Sequence, residues 1–370
     1  MSGHQGASAR LAARRLAAQQ IGRHTFARAA DLVAWMGAMQ AQDYAAVHWA
    51  VGLRLRGRAV GEAALAGALA DGSVVHTHVM RWTWQLVAPA DLLWMLPLVA
   101  PRLMNRTAGR HRELNLDAAT FARSTRAVER ALAKGVHLTR AELGGALRDA
   151  GVATDGPRLS HLLGHAELHA VICSGAPRAK QRTYALVASR LPREHEPLER
   201  EEALAELARR YFRSRGPATA ADFAWWSGLA PAEARAGLAA IRGELASEEI
   251  EGATLWRDAK IAPTADAVLA EAALLPPFDE YLIAYRDRGD MLAPHEARRL
   301  NAGGGILPPV IVAGGRVVGR WRRTLAPSVV TIELAPFDKP SPADRARIGE
   351  AAERYAAFLD RQVKIVWRLR

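Results

Sequence analysis

Apolar residues recur at helical spacing in three segments near the start of the chain, at positions 10–21, 28–39 and 59–70. The next segment, SVVHTHVMRWTWQLV at positions 73–87, is rich in β-branched and aromatic residues and predicts a β-hairpin. The first part of the chain is therefore expected to fold as helices followed by a hairpin.

The same order of elements returns twice along the chain. Thr139 and Glu142 have the spacing of a capping box, and Thr219 and Asp222 form a similar pattern, so each pair predicts the start of a helix. Helices followed by a hairpin are typical of a winged helix-turn-helix, whose third helix can enter a duplex groove. The predicted elements are helices at 124–134, 139–150 and 157–170 with strands at 171–175 and 182–188, then helices at 200–213, from 219 and at 231–243 with strands at 245–256.

From Leu274 the pattern changes to that of a small closing module. A glycine run at 303–305 predicts a turn, the segment 308–334 alternates like a β-meander with a glycine hairpin turn at 314–315, and 341–360 predicts an amphipathic helix. The predicted fold class is α+β. It comprises three tandem winged helix-turn-helix units at 8–120, 121–195 and 196–272 and a small C-terminal β-rich module at 273–370.

The composition is that of a folded globular protein. The chain has 370 residues, of which 50% are apolar and 24% charged, so a disordered or collagen-like chain is excluded. A single cysteine, Cys173, excludes intrachain disulfides and metal sites built from several thiolates, and favours a reducing cytoplasm. The N-terminal segment lacks the apolar core of a secretory signal, and charged residues and prolines interrupt the most apolar stretch, 86–104.

Positive charge is concentrated in the first half of the chain. The whole sequence has 50 Lys and Arg against 38 Asp and Glu, a formal net charge of +12. Residues 1–193 hold 25 Lys and Arg against 12 Asp and Glu, and 23 of the 25 are Arg. A GC-rich genome also produces an excess of Arg, but such a bias should act on both halves. Because Arg makes bidentate contacts to phosphate, we expect an anionic partner such as DNA.

Two glutamines, Gln40 and Gln42, follow an apolar helix in the segment MQAQDY. On a continuing helix they would point about 200° apart, so they can serve one site only if the helix ends or unwinds there. The alternative is an exposed polar helix end.

The predicted hairpin at 73–87 combines basic and aromatic residues. Alternation along a strand places His76, His78 and Met80 on one face, with Trp82 and Trp84 joining them if no bulge intervenes. Such groups suit nucleic acid through stacking and phosphate contact, whereas the alternative is that the tryptophans belong to the core. The residues of this hairpin that we expect to bind DNA are His76, His78, Arg81, Trp84 and Gln85.

Six motifs follow one another along the chain: QAQDY, HTHVMRWTWQLVAPADLLWML, HAELHAVICSG, QRTYALV, RYFRSRGPATAADFAWWSGL and LLPPFDEYLIAYRDR. Their order resembles the winged-helix DNA glycosylases of the AlkZ type, from about residue 10 to 330 or beyond. Members of this family contain tandem winged helices and excise alkylated purines from DNA, and some unhook interstrand crosslinks. Their catalytic motif of Gln, an aliphatic residue and Gln falls on Gln40, Ala41 and Gln42. Many relatives have His at the position of Gln85 and Pro or Gly at that of Trp82, so lesion preference can differ here.

The resemblance implies hydrolysis of an N-glycosidic bond by two glutamines. Glutamine has no pKa in the working range, so it can orient water and present an amide dipole but cannot act as a general base. A purine alkylated at N7 or N3 is already cationic and leaves without protonation, so Gln40 and Gln42 would suffice. Asp43 is either an auxiliary base or electrostatic partner, or a helix-end residue. This mechanism needs no lysine for a Schiff base, so we expect a monofunctional enzyme without strand cleavage. Lys134 and Lys180 are the only lysines of the basic half, which argues further against a lyase mechanism.

The last motif adds charged candidates near position 280. Asp279, Arg286 and Arg288 are expected at the DNA-binding cleft, with the arginines holding phosphates. The alternative is an Asp–Arg network that joins the third unit to the closing module.

Two further groups of residues are interpreted as structural. His161, His165 and His169 recur at a helical spacing of four, which favours a stripe along a domain contact or the DNA backbone over a metal site. Trp225 and Trp226 are predicted to lie in the core of the third unit.

Two other classes of function stay open at this point. One is a non-catalytic winged-helix DNA-binding protein, such as a regulator or a damage binder, and the other is a resistance protein that sequesters a small molecule in a cleft. No P-loop or dinucleotide fingerprint is present, so no cofactor is predicted, and no metal. The predicted partner is double-stranded DNA, alkylated or crosslinked, with no membrane and no obligate protein partner, and the predicted location is the cytoplasm, in association with the nucleoid.

Overall fold

The structure, a computed structural model, describes residues 2–57, 61–179, 181–191, 198–261, 271–300 and 307–369. The predicted glycine turn at 303–305, Lys180, and positions 59 and 60 of the third predicted helix lie outside these residues. The described chain begins with helix α1 (Ser2–Ala18). Within the described ranges, no helix is long and apolar enough to cross a membrane.

The first unit follows α1 and contains a three-stranded antiparallel sheet in which β3 lies between β1 and β2. The hairpin β2–β3 confirms the one predicted at 73–87. Strand β1 was not predicted, and it begins after Gly37, whose positive φ of 72° turns the chain out of the preceding helix. The elements of this unit are α2 (Ala29–Met36), β1 (Ala38–Gln40), α3 (Tyr44–Gly52), α4 (Ala63–Asp71), β2 (Val75–His78) and β3 (Trp84–Val87).

The helix predicted at 10–21 is confirmed as far as Ala18, as the second half of α1. Its buried side chains belong to a different hydrophobic cluster from those of α2 and α4. Helix α3 was not predicted, because it is buried on several sides and lacks the wide polar face that makes a helix visible in a sequence. One of its buried rings, Trp49, lies 5.1 Å from the ring of Phe358 near the C-terminus.

Helix α5 (Pro89–Glu113) leads into the second unit, which has its own hydrophobic core. The strand order, β4-β6-β5, is equivalent to the β1-β3-β2 order of the first unit. The predicted capping box is confirmed, because Glu142 donates its N–H to the Thr139 hydroxyl and accepts from the Thr139 N–H. The elements are α6 (Ala118–Ala131), β4 (Leu138–Thr139), α7 (Arg140–Asp149), α8 (Arg158–Leu168), β5 (Ile172–Ser174) and β6 (Thr183–Leu186), followed by the short helix α9 (Val187–Arg190).

The third unit repeats this order with a reduced first strand. Ala218 alone forms an antiparallel bridge to Trp256, in the place that β1 and β4 occupy in the other units. The predicted cap at Thr219 is confirmed. The elements are α10 (Arg200–Arg215), α11 (Ala220–Ser227), α12 (Pro231–Ala240), β7 (Leu245–Ile250) and β8 (Ala253–Asp258). The order helix, strand, helix, helix, hairpin therefore occurs three times, as expected for tandem winged helices.

The closing module contains a five-stranded sheet with the order β13-β12-β11-β10-β9, in which only the β12–β13 pair is parallel. The predicted glycine hairpin turn at 314–315 joins β10 and β11. This sheet shares one hydrophobic cluster with α1, α5 and the third unit. Its elements are β9 (Ala272–Leu275), α13 (Glu280–Ile283), α14 (Pro294–Leu300), β10 (Val310–Ala313), β11 (Arg316–Leu325), β12 (Val329–Pro336), α15 (Pro342–Phe358) and β13 (Gln362–Trp367).

The fold class is confirmed as α+β. Separate cores for the first and second units support the predicted division of the chain, whose unit boundaries stay a prediction.

Candidate functional site

The C-terminal end of α2 positions the two glutamines. The last carbonyl groups of a helix have no partner within it, and arginines of α10 supply donors here. Arg210 and Arg213 donate to the carbonyl of Ala34, and Arg215 donates to that of Met36 at 2.6 Å. These bonds mark the point where the helix ends and β1 begins.

Gln40 lies in β1 opposite Gln85 of β3. The strand pairing continues to Ala41, whose N–H donates to the carbonyl of Trp84 at 2.7 Å. Side chains two residues apart on an extended strand point to the same side. The condition stated above for Gln40 and Gln42 to serve one site is therefore met, because the helix ends four residues before Gln40.

Each glutamine has a defined partner. Arg81 Nη2 donates to Gln40 Oε1 at 3.0 Å, and the N–H of Trp84 donates to Gln42 Oε1 at 3.3 Å. A guanidinium group can only donate, so the atom of Gln40 that faces Arg81 is its oxygen. Among the described residues the amide NH₂ of Gln40 has no hydrogen-bond partner, so it can donate to a ligand. The backbone N–H of Gln40 donates to Glu280 Oε1 at 2.8 Å.

Gln40 lines a cleft of about 490 Å³. Arg81, Thr83 and Arg288 provide its polar lining together with Gln40. The other lining residues are Trp225, Phe278, Ile283, Leu292, Ala297, Leu300 and Leu307. The cleft therefore places an apolar, partly aromatic wall opposite one of the two glutamines.

Trp225 is an exposed part of that wall. Its side chain is 46% exposed, and its Nε1 donates to the carbonyl of Ile283 at 3.0 Å, which fixes the plane of the ring. The prediction that Trp225 belongs to the core is wrong, because its helix turns this ring toward the cleft. The prediction is correct for Trp226, which is completely buried.

Two guanidinium groups give the cleft a positive charge. Burial lowers the pKa of Arg81, and the neighbouring charges of Arg215 and Arg288 lower it further, while Glu280 opposes them. Burial also lowers the pKa of Arg288. Among the residues that the structure describes, the buried Nε atoms of Arg81 and Arg288 have no hydrogen-bond partner. The charge of two partly buried guanidinium groups in the lining favours an anionic ligand.

A stack of rings supports the backbone between the glutamines. The Trp84 ring lies 4.6 Å from His76 and 4.2 Å from His78, and the exposed Arg182 guanidinium lies 4.6 Å above Trp84. Burial lowers the pKa of His76 to about 3, so its imidazole is neutral, and its Nε2 bonds the carbonyl of Ala41 at 3.2 Å. Trp84 and Arg182 are thus the accessible part of this stack.

Several predicted DNA contacts lie in the interior instead. His76 and Gln85 are 1% and 0% exposed, and Gln85 donates to Thr83 Oγ1 at 2.7 Å. His78 is also buried, and its Nδ1 lies 2.6 Å from Glu167 Oε2. These side chains cannot reach DNA in this arrangement because their strands are covered by neighbouring elements, and they shape the surface from below.

The hairpin also differs from the prediction at its turn. Strand β2 ends at His78, and Arg81 and Trp82 have positive φ angles of 55° and 59°, so no continuous strand reaches Trp82. The Trp82 ring instead stacks on His161 of the second unit at 5.7 Å.

The acidic candidates have structural partners. Asp43 is the N-cap of α3 and accepts from the N–H of Ala46 at 3.0 Å, which favours the helix-end interpretation. Both oxygens of the buried Asp279 accept from Arg54, at 2.7 and 2.9 Å. This ion pair joins the closing module to the first unit, so Asp279 does not face the cleft. The alternative interpretation expected an Asp–Arg network between the closing module and the third unit, whereas Asp279 pairs with an arginine of the first unit. Arg286 is exposed.

The histidine stripe of α8 lies at a contact between units. His161 packs against Trp82, and His165 stacks on Phe121 at 3.9 Å and on His169 at 4.0 Å. Burial lowers the pKa of His165 to about 4. Within the described part of the chain, no group of three or more His, Cys, Asp or Glu side chains could hold a metal ion.

Sequence reasoning missed three residues near the glutamines: Arg182, Glu280 and Arg215. Glu280 was detectable in principle, because a carboxylate within the apolar run LLPPFDEYLIAY indicates a buried ionic group that needs a partner. Arg182 and Arg215 carry no comparable signal.

Three comparisons with known proteins agree with this architecture. The family model described as DNA glycosylase AlkZ-like matches residues 33–358. An interstrand DNA cross-link repair glycosylase from Streptomyces sahachiroi is 27% identical over 345 residues, which cover 90% of each chain. The solved structure of Streptomyces sahachiroi DNA glycosylase AlkZ has a TM-score of 0.77 at 24% identity, covering 97% of this chain and 99% of that chain. The chain belongs to the AlkZ-like family of DNA glycosylases, and the anionic partner predicted from its charge is DNA.

Proposed function

We propose that this protein is a monofunctional glycosylase that hydrolyses the N-glycosidic bond of cationic N-alkylated purines in DNA repair. One observation supports this lesion class above the others. The described residues that line the cleft beside Gln40 include no Asp, Glu, His or Lys. A neutral base needs a proton donor to leave, whereas a purine alkylated at N7 or N3 already carries the positive charge and needs none.

The two glutamines have complementary roles in the proposed reaction. The bond from the sugar C1′ to the purine nitrogen breaks, its electron pair goes to the cationic base, and the sugar becomes oxocarbenium-like. The free NH₂ of Gln40 and the second lone pair of Gln42 Oε1 orient a water molecule that attacks C1′, and the water releases its proton to solvent. Both amides are fixed in advance, by Arg81 and by the N–H of Trp84, so they orient the water without reorganisation.

The positive groups around the cleft are proposed to hold DNA. Arg81 and Arg288 line the cleft and place positive charge next to the lesion, and Trp84, Arg182 and Arg286 extend the surface beyond it. Anionic phosphates held there would also stabilise the cationic sugar. No lysine occurs among the described cleft-lining residues, which supports hydrolysis without strand cleavage.

A duplex with a single N7-methylguanine tests this function under single-turnover conditions, with abasic sites scored by alkaline cleavage. We expect product with the native protein and a loss of about 100-fold in rate for Gln40→Ala and for Gln42→Ala, with duplex affinity retained. Gln362→Ala, which removes an exposed glutamine of β13, is the matched control and should keep the full rate. No product despite tight duplex binding would contradict excision of this lesion.

The range of substrates is tested with a uracil-containing duplex and with a duplex that contains an interstrand crosslink. A uracil-containing duplex should give no product, because uracil is a neutral leaving group. The curated relative is a cross-link repair glycosylase, and we propose that this chain also unhooks crosslinks between alkylated purines. Efficient uracil excision that does not need Gln40 and Gln42 would overturn the proposed mechanism.

A further inference from the structure

Glu280 is a buried carboxylate whose two oxygens are both fully engaged. Its Oε1 accepts from the backbone N–H of Gln40 at 2.8 Å. Its Oε2 accepts from Arg215 Nε at 3.0 Å, from Arg215 Nη2 at 2.5 Å and from Trp226 Nε1 at 3.1 Å. The side chains of Glu280 and Arg215 are 2% and 0% exposed, so solvent does not screen this pair.

The same ion pair also contacts the end of α2 and the start of β1. Arg215 Nη1 donates to the carbonyl of Met36 at 2.6 Å, and Arg215 Nη2 donates to that of Ala38 at 2.7 Å. Together with the bond from Gln40 to Glu280, these contacts occupy backbone groups at positions 36, 38 and 40.

The backbone groups of Ala38 and Gln40 lie on the free edge of β1. The strand pairs with β3 on one side only, because the sheet order is β1-β3-β2. In an antiparallel pair, alternate residues direct their backbone groups to opposite edges, and Ala41 bonds toward β3. A pair of buried side chains thus closes the edge that another strand would otherwise cover.

We propose that the Glu280–Arg215 pair is the positioning device for Gln40 in the reaction, an inference that rests on the catalytic role proposed above for that residue. Glu280 comes from the closing module and Arg215 from the third unit, while Gln40 belongs to the first. The pair therefore fixes the position of β1, which carries Gln40, relative to the cleft wall, to which Trp225 and Phe278 contribute. A displacement of about 1 Å is enough to reduce a rate by about 100-fold.

Glu280→Gln is the central test variant, because it keeps the size of the side chain but removes the charge that holds Arg215. We expect the single-turnover rate on the N7-methylguanine duplex to fall at least tenfold, with duplex affinity within threefold of native. Hydrogen exchange of a peptide covering residues 38–42 should become faster. Both measurements are made at a temperature well below the melting transition of each variant.

Leu147→Ala is the control for a general loss of stability. Leu147 is completely buried in the core of the second unit, and that core includes no residue of α2 or β1. This variant should lose stability but keep the native rate and the native exchange at 38–42. Equal rate losses in Glu280→Gln and Leu147→Ala at matched residual stability would overturn the positioning role, as would a native rate in Glu280→Gln.

Two further variants make the test decisive. If Glu280→Gln shows no cooperative melting, Trp226→Phe removes one donor from Glu280 Oε2 while preserving much of the ring volume, and should reduce the rate by about threefold without changing affinity. A native rate in that variant would then overturn the proposal. Gln40→Ala is measured in parallel: a native rate there contradicts the proposed function, whereas a loss there without a loss in Glu280→Gln contradicts only this inference.

Discussion

Arg81 connects substrate binding to the orientation of a glutamine. Its Nη2 fixes the carbonyl oxygen of Gln40, while its Nε has no partner among the described residues. The residue has a φ of 55°, which is uncommon for a side chain of this size. Arg81 and Gln40 both line the cleft, so Arg81 can contact a ligand while it orients the glutamine.

We expect Arg81→Ala to reduce both the rate and the electrostatic part of binding. Loss of the bond to Gln40 should lower the single-turnover rate at least tenfold, and loss of one phosphate contact should reduce the salt slope of duplex affinity by about 0.9. Arg200→Ala, at an exposed Arg paired with Glu233, is the control. A slope and a rate equal to those of this control would contradict both tasks.

The exposed ring of Trp225 is a platform for a planar base or its adduct. Stacking on an aromatic side chain contributes about 1–3 kcal/mol per base. Trp225→Ala should therefore weaken binding to lesion-containing duplex by at least fivefold and leave affinity for undamaged duplex unchanged, while Trp225→Phe should retain most of the difference. The measurement is fluorescence anisotropy with the two duplexes, and an equal weakening of both would show that the ring does not read the lesion.

At the scale of elements, the hairpin β2–β3, which is the first wing, depends on a neutral histidine. His76 is stacked on Trp84 and bonded to the carbonyl of Ala41, and its pKa is near 3 because of burial. In the unfolded chain, the pKa of a histidine is about 6.5. As the pH falls below that value, the unfolded chain binds a proton that the folded protein does not bind, so the free energy of unfolding decreases.

We expect the free energy of unfolding to decrease by about 1.4 kcal/mol per pH unit for His76 between about pH 6 and pH 3. His165, with a pKa of about 4, adds a second contribution over the upper part of that range. Urea titrations at pH 7.5, 6 and 5 measure the slope, and His76→Asn, which does not titrate, should flatten it. A stability that does not change over this range would contradict the neutral, buried state.

At the scale of the whole molecule, the two halves of the chain differ in charge and in the units that they contain. The basic first half contains the first two winged-helix units, and the near-neutral second half contributes the third unit and the closing module. The cleft lies where these parts meet, since its lining comes from β1, the first wing, α11 and the segments around α13 and α14. A free winged-helix unit would therefore lack part of this cleft.

Duplex binding should depend steeply on salt. With one phosphate contact from each of Arg81, Arg182, Arg286 and Arg288, the logarithm of affinity should fall with the logarithm of salt at a slope of about −3.6. Anisotropy titrations between 50 and 200 mM salt should show a loss of about 100-fold or more. Affinity that hardly changes over this range would show that the arginines do not contact phosphates.

The sequence by itself determined the local elements and the repeated order of units. Capping boxes at Thr139 and Thr219, helical periodicity and the glycine hairpin turn all act between residues close together in the chain, so they are visible without a structure. The resemblance also led to the family, which the comparisons confirmed, and it assigned the proposed catalytic roles to Gln40 and Gln42.

Only the tertiary structure decided which side chains share the cleft and which are buried. Gln85 and Asp279 were expected to face DNA, yet both lie in the interior, while Trp225 was expected in the core and lines the cleft. The Glu280–Arg215 pair that holds Gln40 joins residues up to 240 positions apart. Contacts of this range depend on how the units pack against each other, and burial depends on all the neighbours of a residue at once, so neither can be determined from local pattern alone.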